Sequence, residues 1–265
     1  MMKSMRAFFG YFSYSIKKFL MYRVYLISEV LSSLILPIIL NFFLWKSLLE
    51  ANPINYNLKE MMRYIIISNV ILLFTQIHVE YDLERDIKTY RLGQKLLLPV
   101  SYLTSISYRY ISTSLATFAI IYLPIIIATS FFTGIDVQVI RILYFVITLI
   151  VGFLLNAMFS FIIGSLSFWL TEIWGIAAIR NLLTGLLSGA IFPLDILPEK
   201  IESIMLITPF PYMTYVPSKL ICDPNFNIQI VNRGLIISIF WVLGLSFIAF
   251  LLMKNGLKKY TSNGA

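Results

Sequence analysis

The stretch LYFVITLIVGFLLNAMFSFIIGSLSFW, Leu143 to Trp169, decides the fold, because it runs its whole length without a charged side chain. A bilayer's hydrocarbon core is about 30 Å thick and needs roughly 20 mostly apolar helical residues to cross it. Two further runs are equally free of charge, Ile111–Phe132 and Leu235–Met253. Three more have the right length with polar interruptions: Val24–Leu48 with Glu29 and Pro37, Tyr64–Val79 with Asn69 and His78, and Gly175–Phe192 with Arg180. Membrane barrels show short alternating segments, whereas these runs are continuous. Only helices and closed barrels satisfy the backbone in lipid, so the expectation is an all-α membrane protein of six transmembrane helices.

Composition agrees. Of 265 residues, 59% are hydrophobic and 13% charged, and the mean hydropathy is +0.84. Soluble domains run about 45–50% apolar and about 25% charged. One cysteine (Cys222) excludes a disulfide scaffold, and one histidine (His78) excludes a zinc enzyme built on His/Cys clusters. The formal charge of +8 then reads as basic edges facing anionic lipid rather than as a nucleic-acid surface. With six spans, two thirds of the 21 Lys and Arg residues fall on the side of the termini. That bias places both ends in the cytoplasm of a multi-pass plasma-membrane protein. The N-terminus has no small-residue cleavage site ahead of the first span and is not expected to be a cleaved signal.

The chain divides into residues 1–23, spans over 24–253, and a tail at 254–265. In the first part, Phe8, Phe12, Ile16, Phe19 and Leu20 recur at helical spacing among Lys3, Arg6, Lys17 and Lys18. This fits an amphipathic helix in the cytoplasmic interface, or equally a plain positive anchor for the first span. The segment Glu80–Ser101 alternates Glu80, Asp82, Glu84 and Asp86 with Arg85, Lys88, Arg91 and Lys95, ahead of Leu96-Leu97-Leu98-Pro99. Alternating signs suit a solvated helical face. The leucines beside the charges also suit a docking element for a soluble partner, with an apolar centre and a polar rim. Between Ile191 and Arg233, prolines 193, 198, 209, 211, 217 and 224 break any long helix, while Ile201, Ile204, Met205, Leu206 and Ile207 are too apolar for a free loop. A re-entrant helical hairpin between the last two spans reconciles these facts, with an interfacial loop as the alternative.

No phosphate-cradling loop, metal cluster or nucleophile motif occurs, so neither catalysis nor a bound cofactor is expected of this chain. Charges inside spans are functional candidates by default. Glu29 is one, with pairing to Arg23 as the plainer reading; Arg180 is the other and should face protein or water. His78 and Glu172 sit at the cytoplasmic edge. Gly185-x-x-x-Gly189 and Ser160-x-x-x-Gly164 are spacings at which helix backbones approach closely, within one chain or between two.

Three stretches carry a resemblance: DIKTYRLGQKLLLPVS (Asp86–Ser101), SFWLTEIWG (Ser167–Gly175), and LSGAIFPLDILP (Leu187–Pro198) followed by PFPYM (Pro209–Met213). With the order of the spans, they make the chain similar to the ABC-2 type transporter permeases, in a branch of about 260 residues. The likeness covers nearly the whole chain as one transmembrane domain. It implies a permease moving an amphipathic or hydrophobic cargo outward, such as a drug, peptide antibiotic or lipid-like molecule. It also implies pairing with an identical or homologous second permease and with a cytoplasmic ABC ATPase subunit that binds ATP and Mg. The resemblance puts a coupling helix within 82–98, so Asp82, Glu84, Arg85, Asp86, Lys88, Arg91, Leu96 and Leu97 are its candidates. It lines the subunit interface with the first and fifth spans, where Gly185 and Gly189 lie, and caps the exit with Pro193, Asp195, Pro198, Pro209 and Pro211. A stand-alone secondary transporter, or an immunity-type binding protein without an ATPase, is the competing reading.

Overall fold

The computed structural model describes residues 2–51, 56–97, 102–125, 127 and 139–260, with the side chains of 2–7, 19–20, 23, 25–26, 29 and 103 outside that description. Among the described residues all regular structure is helical. We number α1 Met2–Met21, α2 Arg23–Val30, α3 Leu36–Ala51, α4 Leu58–Thr75, α5 Val79–Lys88, α6 Arg91–Leu96 and α7 Tyr102–Thr117. The chain continues as α8 Val139–Ser165, α9 Trp174–Leu187, α10 Glu199–Met205, α11 Tyr215–Cys222 and α12 Ile228–Lys259.

Among the described residues, four helical stretches are long and apolar enough to cross a membrane: Leu31–Ala51, Leu58–Lys88, Ile140–Phe168 and Ile228–Lys259. Two of the six expected spans are not among them. The third expected span, Ile111–Phe132, begins in α7 and a π-helical turn, Phe118–Tyr122, but its far end lies outside the described residues. The fifth is the apolar helix α9 of 14 residues, which at about 1.5 Å per residue reaches only about 21 Å. It stops because Gly189 adopts φ +76°, the left-handed conformation that ends helices and suits glycine. The turn is then fastened: Tyr64 Oη donates to Gly189 O at 2.6 Å, Ser68 Oγ to Ala190 O at 2.9 Å, and Tyr215 N to Ser188 O at 2.9 Å.

In the first span, Pro37 lacks an N–H and would crowd the carbonyl four residues back. The backbone opens into a π turn over Leu31–Ile35 just ahead of it, a usual form of helix irregularity. α4 starts on a capping box in which Asn57 and Glu60 bond each other's backbone at 2.9 and 3.1 Å.

The main core joins α4, α8 and α11 through Met61, Tyr64, Ile65, Leu155, Met213, Tyr215 and Val216, with α12 added through Val231. Between α9 and α12 the prolines do what their spacing predicts. Pro193 precedes a 3-10 turn at Leu194–Ile196, Pro198 caps α10, and Pro209 caps a second turn, Phe210–Tyr212, that holds Pro211 within it. These short elements pack onto the helices, with Phe210 stacked on Phe159 at 5.5 Å between centroids. The close approach depends on absent side chains: a Cβ at Gly152 would lie 3.0 Å from Met213 Cα, and one at Gly234 would enter the Tyr212 ring. Large apolar side chains such as Phe43, Leu143, Ile150, Phe240 and Phe247 stand exposed along the long helices, a surface suited to lipid.

Candidate functional site: the α5 hub

The site starts from a break. α4 stops at Thr75, Gln76 turns extended, and the chain re-enters helix at Val79. α5 has Glu80 and Asp82 in its first turn and Arg85 and Lys88 in its last, which complements the helix dipole at both ends. Its apolar stripe, Val79, Leu83 and Ile87, is buried with Leu92, Tyr102, Ile106, Ala157 and Phe168.

Each of its four acids is tied to another element. Glu80 is 0% and Arg180 of α9 is 6% exposed, and Arg180 Nη2 meets Glu80 Oε1 at 2.9 Å. Arg180 also donates to Asn156 Oδ1 of α8 at 3.4 Å, to Ile77 O at 3.4 Å and to its neighbour Asn181 at 2.8 Å. Ser160 Oγ of α8 donates to Glu80 Oε2 and accepts from Glu80 N. His78 Nδ1 lies 3.2 Å from Glu80 Oε1. Asp82 is held by Arg109 and Tyr110 of α7 and by Arg85. Glu84 accepts from Ile173 N, just ahead of α9, at 3.3 Å and from Lys88 at 2.6 Å. Asp86 accepts from Lys95 of α6 at 2.6 Å and from Tyr102 Oη of α7 at 2.8 Å. Burial first, and the bond to Asp86 second, push the Tyr102 phenol well above its ordinary pKa, so it remains a donor.

Beneath α5 the Ser160-x-x-x-Gly164 face of α8 makes its contact inside this chain: a Cβ at Gly164 would stand 2.9 Å from Glu80 Cα. α6 is anchored to the end of α12, where Tyr260 Oη accepts from Gly93 N at 3.3 Å. Tyr90, at φ 58°, makes the tight turn between α5 and α6.

The predicted docking set therefore divides. Asp82, Glu84 and Asp86 point inward as ties, whereas Arg85, Lys88, Arg91, Leu96 and Leu97 are exposed, Leu97 to 87%. Leu98 and Pro99 lie outside the described residues. Across a cleft of about 420 Å³ from Arg85 and Lys88 stand Glu172 and Trp174, the latter 69% exposed. Residue spacing could not pair Arg180 across the fold: its acid is Glu80, not Glu172. Tyr102, Arg109 and Tyr110 lie beyond the segment that the sequence marks out, and nothing in the chain order says which acid each one meets.

The other predicted positions lie elsewhere. Gly185 meets nothing within 4 Å in this chain and Gly189 lies past the end of α9, so the two glycines pack no second helix within this chain. The side chain of Glu29 lies outside the described residues. At the far end of the molecule, Asp195 accepts from Tyr56 Oη at 2.7 Å and from Lys219 at 2.6 Å. Burial and then Asp195 raise the Tyr56 phenol far above its usual value. Among the described residues, no group of His, Cys, Asp and Glu is arranged to hold a metal.

A protein family described as ABC-2 family transporter protein matches residues 14–264. No curated protein matches the chain.

Proposed function

The chain belongs to the ABC-2 family of transporter proteins, and from that premise we propose that it is the membrane-spanning permease subunit of an ABC exporter. In this reading it crosses the membrane six times with both ends cytoplasmic, and the proline-broken return between α9 and α12 re-enters from the outside. A separate cytoplasmic ATPase subunit supplies the energy, a second permease chain completes the path, and an amphipathic or hydrophobic cargo moves outward.

The observation that supports it best is the two-sidedness of α5. Its acids are all engaged by α6, α7, α8 and α9 or the residue before it. Its outer face keeps Arg85 and Lys88 on intrahelical pairs at 54% and 39% side-chain exposure. Such exposed pairs are worth about 0–1 kcal/mol, so both cations can turn to a partner at small cost. A soluble subunit docking on the bases and on Leu96 and Leu97 would move α5, and the ties would carry that motion to the spans as a rigid-body shift. Only contacts that differ between the two ATPase states can drive the change.

The test is recovery of an ATPase. A tagged chain purified from native membranes should bring an ATPase subunit with it. Reversing Arg85, Lys88 and Arg91 to glutamate should reduce that recovery at least tenfold, and neutralising the three to glutamine, which sets no like charge beside Asp82 and Glu84, should also reduce it and leave the melting temperature nearly unchanged, since exposed substitutions usually cost less than about 0.5 kcal/mol each. Undiminished recovery with the triple reversal removes α5 as the docking element.

A further inference from the structure

A second feature lies where α7, α8 and α12 come together, about Ser107, Met158, Phe161, Phe250, Met253 and Leu257. It is a groove of about 520 Å³, within the usual range of small-molecule pockets, about 300–1,000 Å³. Three hydroxyls line it, and two are engaged: Ser165 Oγ donates to Phe161 O at 2.8 Å, and Ser246 Oγ to Met158 S at 3.2 Å, while the third belongs to Ser107 of α7. The wall that remains is apolar.

At one rim stands exposed Lys254, its ammonium 6.0 Å from the centre of the Phe250 ring. The stem thus lies along the greasy wall while the charge reaches outward. Lys258 and Lys259 follow one turn on, and no acidic residue occurs anywhere after Asp223. An apolar trough ending in uncompensated positive charge matches a molecule with an apolar tail and an anionic head.

We propose that this groove binds an anionic phospholipid, with an acyl chain along Met158, Phe161, Phe250 and Met253 and the phosphate on Lys254. The occupant is a bilayer lipid because the trough complements a tail and a phosphate together, which a free phosphate would not use. The inference rests on the membrane placement of α12, which membrane fractionation tests separately. It does not depend on an ATPase partner or on cargo.

The experiment is native mass spectrometry of the full chain, purified in detergent and titrated with dioleoyl phosphatidylglycerol or dioleoyl phosphatidylcholine. The wild type should retain phosphatidylglycerol preferentially. Lys254→Gln should weaken that retention about fivefold, the factor one surface lysine contributes toward anionic lipid. Ala249→Leu, which fills the groove and keeps the charge, should weaken retention of the same lipid. Lys254→Gln lies on the exposed rim and leaves packing untouched, so it decides the matter if the filled variant fails to fold. Equal retention of the two lipids, or unchanged retention in Lys254→Gln, overturns the site. So does a change in oligomeric state with Ala249→Leu and no change in lipid, which would give the groove to a second copy of the chain.

Discussion

A guanidinium as buried as that of Arg180 needs a counter-charge and hydrogen-bond acceptors, and Glu80, Asn156 and Ile77 O supply them to its two terminal nitrogens, while Nε has no partner. Arg180→Met takes the guanidinium from buried Glu80 and leaves it only Ser160 and His78, which should lower stability by about 3–5 kcal/mol. The double variant Arg180→Met with Glu80→Gln buries no charge and should recover much of that loss, a non-additivity readable in thermal melts. A single variant that melts like the wild type would show that the pair is not enclosed. Cys222 offers a second measurement at this scale. Its thiol is fully enclosed, and burial pushes its pKa up to about 12. The reactive thiolate is therefore scarce across pH 7–9, and maleimide should label the folded protein slowly at both values and promptly once it is denatured.

Between elements, the contact that matters most is α5 against α8. Gly164→Ala sets a methyl 2.9 Å from the Glu80 backbone, and neither helix can yield without disturbing the Ser160 and Arg180 ties. Overpacking of this kind costs about 1–3 kcal/mol. Gly185→Ala meets nothing within this chain and, inside a helix, should stabilise by up to about 1 kcal/mol. Comparing the two melting temperatures checks the assignment. A loss of stability at Gly185→Ala would instead report a contact made by a second chain, as expected of an interface through the fifth span. The spacing Gly-x-x-x-Gly occurs in one place and Ser-x-x-x-Gly in the other, yet only the second lies wholly on a helix. Helix length, which the left-handed turn at Gly189 sets, separates them.

For the whole molecule, the two-to-one distribution of Lys and Arg predicts that both ends face the cytoplasm. A tag at either terminus should resist protease in right-side-out cells and be cleaved in inside-out vesicles. Cleavage of either tag from the outside would invert or break the six-span arrangement, and with it the cytoplasmic position of α5. The described helices agree with the chain order of apolar runs. Their ends shift where Pro37, Gln76 and Gly189 impose backbone that hydropathy does not register.

Composition and run length were enough to fix a helical membrane protein, because lipid leaves the backbone no other open-ended way to satisfy its hydrogen bonds. The prolines between Pro193 and Pro217 likewise announced short broken helices, since each removes a donor at a known place. Partnership was a different matter. That Glu80 belongs to Arg180, that Asp82 and Asp86 belong to α7, and that Ser160 and Gly164 admit α5 depends on which helix faces meet after a break at Gln76–His78. Charge and packing act through distances of a few ångströms, and those distances exist only once residues a hundred positions apart have been brought together by the fold.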